Sequence, residues 1–243
     1  MCLGFPVSEM ERRDRRVQRI VAVTYLGFPV LLLGIVAWVG LNGPTAAWAG
    51  AVVPLGMLAA GVVLRGRHRF HPRWWAAIGG LFGGLAGLIG SLYPLVIGVW
   101  WPAILALPFL ILGLLAGLLL ARRANHTLLV PYSEELADSA YELVFRLRGA
   151  PAGLVLLGAD SVTIQGHPMP RTPDQSRTYP LSALTGTFEV DLSGAERLKF
   201  PIALTVVGTA GPALILQAAG EDWVLPTNEA PILLQLLDRR RTR

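Results

Sequence analysis

The chain has 243 residues, of which 53% are apolar and 15% charged, well under the roughly 25% charge of soluble globular domains. Between Ile20 and Ala121 the only charged residues are Arg65, Arg67, Arg69 and Arg73, which excludes an ordinary soluble fold for the first half. The net charge is +5, yet residues 124–237 hold six basic against twelve acidic residues, so the folded second half lacks the basic stripe of a nucleic-acid binder.

Residues 1–19 form a basic segment with Arg12, Arg13, Arg15, Arg16 and Arg19. The first apolar run, Ile20 to Val39, holds no charge over about the 20 residues that a spanning helix requires. It is too long and too far from the start for a signal-peptide core, so it is expected to stay in the mature protein. A second run, Ala46 to Leu64, follows the turn-like Leu41-Asn42-Gly43-Pro44 and stops at Arg65. The stretch from Trp74 to Ala121 is long enough for two crossings. A split near Ser91-Leu92-Tyr93-Pro94 gives spans of about Trp75 to Leu92 and Ile97 to Leu120, with a kinked or re-entrant segment at Pro102 and Pro108 as the alternative. The organisation expected is a basic cytoplasmic segment (1–19), four transmembrane helices (20–121) and a cytoplasmic domain (122–243).

Short cytoplasmic loops retain Lys and Arg. Here the basic residues fall in the N-terminal segment, in the loop RGRHRFHPR from Arg65 to Arg73, and at Arg122 and Arg123, while the other two loops are uncharged. Both termini are therefore expected in the cytoplasm, with the protein in the cell (inner) membrane. Trp38, Trp48, Trp74, Trp75, Trp100 and Trp101 lie near the span ends, where indole rings favour the interface. Cys2 is the only cysteine, so no intramolecular disulfide can form.

Two groups in this half carry a physical role. Arg65, Arg67, Arg69 and Arg73 are the candidates for contact with anionic lipid headgroups. Gly79, Gly83 and Gly87 leave one face of the third span bare, and Gly113 and Gly117 offer a matching face on the fourth. That pairing packs the hairpin; association of two copies is its alternative use. His68 and His71 at i, i+3 lack the carboxylates a cation site needs and sit among arginines, so no metal or cofactor is expected. The spans hold no ionisable side chain of the kind transport pathways keep.

The second half changes period. Val162-Thr163-Ile164-Gln165 alternates, as do Leu184, Phe188 and Val190 against Thr185, Thr187, Glu189 and Asp191, and Phe200, Ile202, Leu204 and Val206 form another row. These are half-buried strands of an antiparallel sheet. A short helix from Ser133 should lead into a strand over Tyr141 to Arg148, with a helix through Leu136, Ala140, Leu143, Val144 and Leu147 as the alternative. After Trp223-Val224-Leu225-Pro226, Asn228 is placed to cap a helix with Glu229 and Pro231 in its first turn. Ile232, Leu233, Leu236 and Leu237 then repeat at helical spacing, and Arg239, Arg240 and Arg241 sit at the negative end of its dipole. The core expected is Val162, Ile164, Phe188, Val190, Ile202, Leu204, Leu216, Trp223, Leu233 and Leu236.

The succession of strands, YPLSALTGTFEV, a hairpin through GPALILQ, then GEDWVLP and NEAPILLQLL resembles the bacterial pleckstrin-homology-like domains over roughly residues 140 to 240. The resemblance implies a bent seven-stranded sheet plugged by the terminal helix, and a binding or assembly module rather than an enzyme. With so few basic residues in the domain, its partner is expected to be a cytoplasmic protein, and the basic loop and N-terminal arginines are expected to meet anionic lipid. A small transporter or a membrane-embedded enzyme with a scattered site is the alternative.

Overall fold

The computed structural model describes residues 9–132, 134–149, 153–166, 175–193 and 209–242. It divides the chain into two units, Met1–Pro131 and Tyr132–Arg243. Cys2, Ser133, His167 and the expected strand through Phe200, Ile202, Leu204 and Val206 lie outside the described residues.

In the first unit, α1 (Glu9–Ala22) passes through a π turn (Val23–Gly27) into α2 (Phe28–Asn42) without a break. Pro29 accounts for the widened turn. It has no N–H for the carbonyl of Tyr25, and its ring crowds that oxygen. Gly61 of α3 (Val52–Arg67) closes on the same carbonyl, where a Cβ would sit 2.6 Å from the oxygen. A 3-10 turn (Thr45–Ala51) feeds α3, and the hydroxyl of Tyr93 donates to the carbonyl of Ala47 to fix it. Next come α4 (Pro72–Leu92), a 3-10 turn (Tyr93–Ile97), the short α5 (Trp101–Ile104) and α6 (Ala106–Leu129).

Four stretches, Glu9–Asn42, Thr45–Arg67, Pro72–Ile97 and Ala106–Leu129, are long and apolar enough to cross a membrane. The last of them starts later than hydropathy alone predicts. Gly98, at φ +78°, takes a left-handed conformation that ends the preceding turn, and the chain is broken again at Leu105. Residues 98–105 are thus an apolar connector. The helix then continues through Arg122 and Arg123, because nothing breaks it before Pro131. Trp75 also departs from the expected belt: it is buried, and its Nε1–H donates to the carbonyl of His68 at 2.9 Å.

The second unit opens with the single turn α7 (Glu134–Ala137). An antiparallel meander follows, of β1 (Leu143–Leu147), β2 (Gly153–Leu157), β3 (Ser161–Gly166) and β4 (Gln175–Pro180). Phe145, Val155 and Ile164 stand opposite one another across it, as do Leu143, Leu157, Val162 and Tyr179, and all are buried. A second antiparallel sheet holds β5 (Leu184–Leu192), β6 (Gly211–Ala218) and β7 (Glu221–Pro226). The chain ends in α8 (Ala230–Arg241), whose Leu233, Leu236 and Leu237 are buried.

Two polar links tie the sheets together. The backbone N–H of Arg148, just past β1, donates to the carbonyl of Pro226 at 2.6 Å, and its guanidinium reaches the carbonyls of Ala210 and Pro212. At another point the hydroxyl of Tyr179 donates to Glu221 of β7 and accepts from Trp223 Nε1 at 3.1 Å.

The expected core holds at Val162, Ile164, Leu216, Trp223, Leu233 and Leu236, but Phe188 is 52% exposed. A bulge between Leu184 and Gly186 is the cause. One extra residue reverses the alternation downstream. Thr187 therefore turns toward α8, where its Oγ1 donates to Asp238 Oδ1 at 3.3 Å. Phe188 and Val190 face the other way, and Val190 packs on the cluster of Leu192, Ala213 and Val224. The helix start differs too. The N-cap position falls on Glu229 rather than Asn228, with no side-chain capping bond, and Thr227 Oγ1 accepts the backbone N–H of Glu229 at 3.3 Å just before the helix.

Candidate functional site

The end of the helical unit that carries the RGRHRFHPR loop gathers the charge. There α1 is helical because residues 9–22 lack Gly and Pro, and Glu9 and Glu11 complement its positive end. Arg15 and Arg19, spaced i, i+4, share one of its faces. On α3, Arg65 and the following turn residue Arg69 fall at the same spacing. Asp14 and Arg69 form an ion pair at 2.9 Å, and Gln18 Nε2 donates to the carbonyl of Arg69 at 3.3 Å. These bonds hold the turn after α3 against α1.

Between them lies a cleft of about 490 Å³ with Arg15, Arg19, Arg65 and Arg69 on its walls. Asp14 and Gln18 share its polar end, and Leu26 and Val62 line its apolar end. Four guanidinium groups face one carboxylate, so the cleft holds a strong excess of positive charge. Among the described residues Arg19 and Arg65 have no carboxylate or carbonyl partner, whereas Arg69 is held by Asp14. Such a pocket suits a phosphate or another compact anion with an apolar extension.

The four arginines expected to meet headgroups therefore divide. Arg65 and Arg69 enter the cleft, Arg67 is exposed and outside it, and Arg73 lies over the ring of Trp74 at 5.7 Å. Arg15 and Arg19 join them from α1, at a spacing visible in the sequence once a helix is assumed. Arg13 goes elsewhere: it is buried, and its Nη1 donates to the carbonyl of Pro131 at 2.6 Å and of Leu128 at 3.4 Å. It shares a stripe with Val17 and Val21, the signal that marks it as an inward residue.

His68 sits beside the cleft's turn, with its ring 6.3 Å from that of His71. Burial first, then the charges of Arg67, His71 and Arg73, push its pKa below the usual histidine value. The shift favours its neutral form. No group of three His, Cys, Asp or Glu side chains gathers among the described residues.

The glycine stripes meet. Gly79 lies against Gly117, Gly83 against Gly113 and Gly87 against Phe109, each so close that a methyl group would strike the opposing carbonyl. The backbones of α4 and α6 can approach this far only without side chains between them. Near this seam is an apolar groove of about 630 Å³, lined by Leu31, Ile35, Trp38, Trp101, Phe109 and Leu112 among others. In the second unit Glu134 pairs with Arg239 at 3.2 Å, an ion pair at an exposed surface rather than a gathered acid–base site. No family model matches this chain, and no curated protein matches it either.

Proposed function

We propose that the protein is a multi-pass membrane protein whose helical unit anchors a cytoplasmic pleckstrin-homology-like module, and that this module binds a protein partner without catalysis. The observation that carries the reading is the outward face of the four long helices. Val52 is 72% exposed, Val63 66% and Leu107 64%, and Leu31, Val62, Leu81, Leu112 and Leu119 are exposed as well. In water such continuous apolar surface drives association; in a bilayer it is the solvated face. The basic ends at Arg12 to Arg19, Arg65 to Arg73 and Arg122 to Arg123 favour the cytoplasmic side for both termini.

The second unit supports a binding module through its element order: a four-stranded meander, a three-stranded meander and a terminal helix filling them. Its polar clusters serve the fold, since Tyr179, Trp223 and Glu221 bond one another and Arg148 and Arg240 bond backbone carbonyls. Phe188, exposed on β5, is a surface anchor of the kind partner interfaces use. The test is a cross-linking capture with the full-length protein in native membranes. A specific partner should be recovered by the intact chain and lost with Phe188→Asp. Recovery of the same proteins by a chain ending at Pro131 would overturn the assignment to the second unit.

A further inference from the structure

We infer that the cleft between α1 and the end of α3 is a site for one anionic phospholipid, with its phosphate between Arg15, Arg19, Arg65 and Arg69 and an acyl chain along Leu26 and Val62. The inference rests on the membrane reading above and names the ligand of the basic end.

Three observations converge on it. The cleft straddles the polarity boundary of both helices, since Arg19 immediately precedes the charge-free run that starts at Ile20, and Arg65 immediately follows the run that ends at Leu64. A lipid phosphate sits at that boundary. Arg19 and Arg65 have no acceptor within the protein among the described residues, so their like charges are left to an outside anion. The volume of about 490 Å³ far exceeds an inorganic phosphate, and the apolar end at Leu26 and Val62 has no use for one. Arginine forks bind phosphate oxygens in pairs, and a cleft shared by two helices holds the headgroup more firmly than a solvated rim does.

Full-length protein in an uncharged detergent is titrated with phosphatidylglycerol, with phosphatidylcholine of the same chains and with inorganic phosphate. Binding is read by native mass spectrometry and by thermal stabilisation. One phosphatidylglycerol per chain should be retained, with little response to the other two. Arg19→Gln with Arg65→Gln should weaken binding about 25-fold, at about fivefold per near-surface charge. The pair Arg122→Gln and Arg123→Gln, equally basic but outside the cleft, should change it less than about twofold.

Gly66→Phe supplies a variant that removes no charge. Gly66 lines the cleft and a Cβ there meets nothing within 4 Å, so a side chain leaves the helix without a clash at its first atom and its ring narrows the site. It should weaken phosphatidylglycerol binding while leaving the melting temperature without lipid unchanged. Equal losses in the two double variants, equal binding of phosphatidylcholine, or full stabilisation by inorganic phosphate would overturn the site. Membrane fractionation separates the two readings: a chain that stays in the membrane without lipid selectivity refutes the site alone, and a chain in the soluble fraction refutes both.

Discussion

Arg240, in the last turn of α8, donates from Nη1 to the carbonyl oxygen of Leu157 at 3.0 Å, and so fastens the terminal helix to the end of β2. The same guanidinium, 5% exposed, also bonds the carbonyls of Ala137, Gly158, Ser139 and Tyr141. A charge-assisted donor with several carbonyl acceptors is an arrangement in which burial of a cation is tolerated.

Arg240→Ala should therefore destabilise the second unit by about 3–5 kcal/mol, because five carbonyls, three of them in buried bonds, lose their donor. Arg240→Lys should recover only part of this, since an ammonium cannot span the same fork. Arg239→Ala, which removes only an exposed ion pair with Glu134, should cost less than about 1 kcal/mol. Denaturant unfolding of the full-length variants, followed by protease resistance of the second unit, measures all three. Similar losses for Arg239→Ala and Arg240→Ala would refute the anchoring role.

Tyr179→Phe should cost about 1–2 kcal/mol, as both Trp223 Nε1 and Glu221 lose their partner. Burial foremost, with the hydrogen bond to Glu221, raises the phenol's pKa above its ordinary 10.0. The sign follows: the neutral phenol's contribution is complete below pH 10 and is lost as the pH rises through the raised folded value. The stability gap between the natural protein and Tyr179→Phe should thus narrow in strong alkali. A gap that widens there would contradict the assignment.

The α4–α6 seam predicts a steric penalty that depends on position. Gly83→Ala or Gly113→Ala should lower stability by about 1–3 kcal/mol through overpacking against the opposing backbone. Gly34→Ala and Gly56→Ala, where an added Cβ meets nothing within 4 Å, should be neutral or slightly stabilising, because alanine favours a helix. Thermal melting of the detergent-solubilised protein distinguishes them, and equal effects at all four positions would show that the seam is loose.

Leu233→Asp places a carboxylate in the fully buried stripe of α8, at a cost of several kcal/mol. Unchanged thermal stability would mean that the helix does not close the two sheets.

Reporter fusions test the orientation. Fusions at Asn42 and Pro94 should read external, and those at His68 and the C-terminus cytoplasmic. An external C-terminus would refute the proposed topology.

What the sequence could determine was whatever depends on neighbours along the chain. The presence of four long apolar helices, the alternation in β3 and the leucine stripe of α8 are of this kind, since hydropathy repeats over a few residues and needs no partner. The close approach of Gly83 to Gly113 was legible for the same reason, as a bare face at every fourth residue. Tertiary structure decided the rest. Phe188 reads as a core residue until the bulge after Leu184 inverts the strand, and a bulge depends on how the partner strand is met. Arg240 reads as a surface charge beside Arg239 and Arg241, because only the folded chain brings it the carbonyl of Leu157. The basic cleft depends on Asp14 meeting Arg69, 55 residues away. Such a meeting is fixed by helix packing, which no local period encodes.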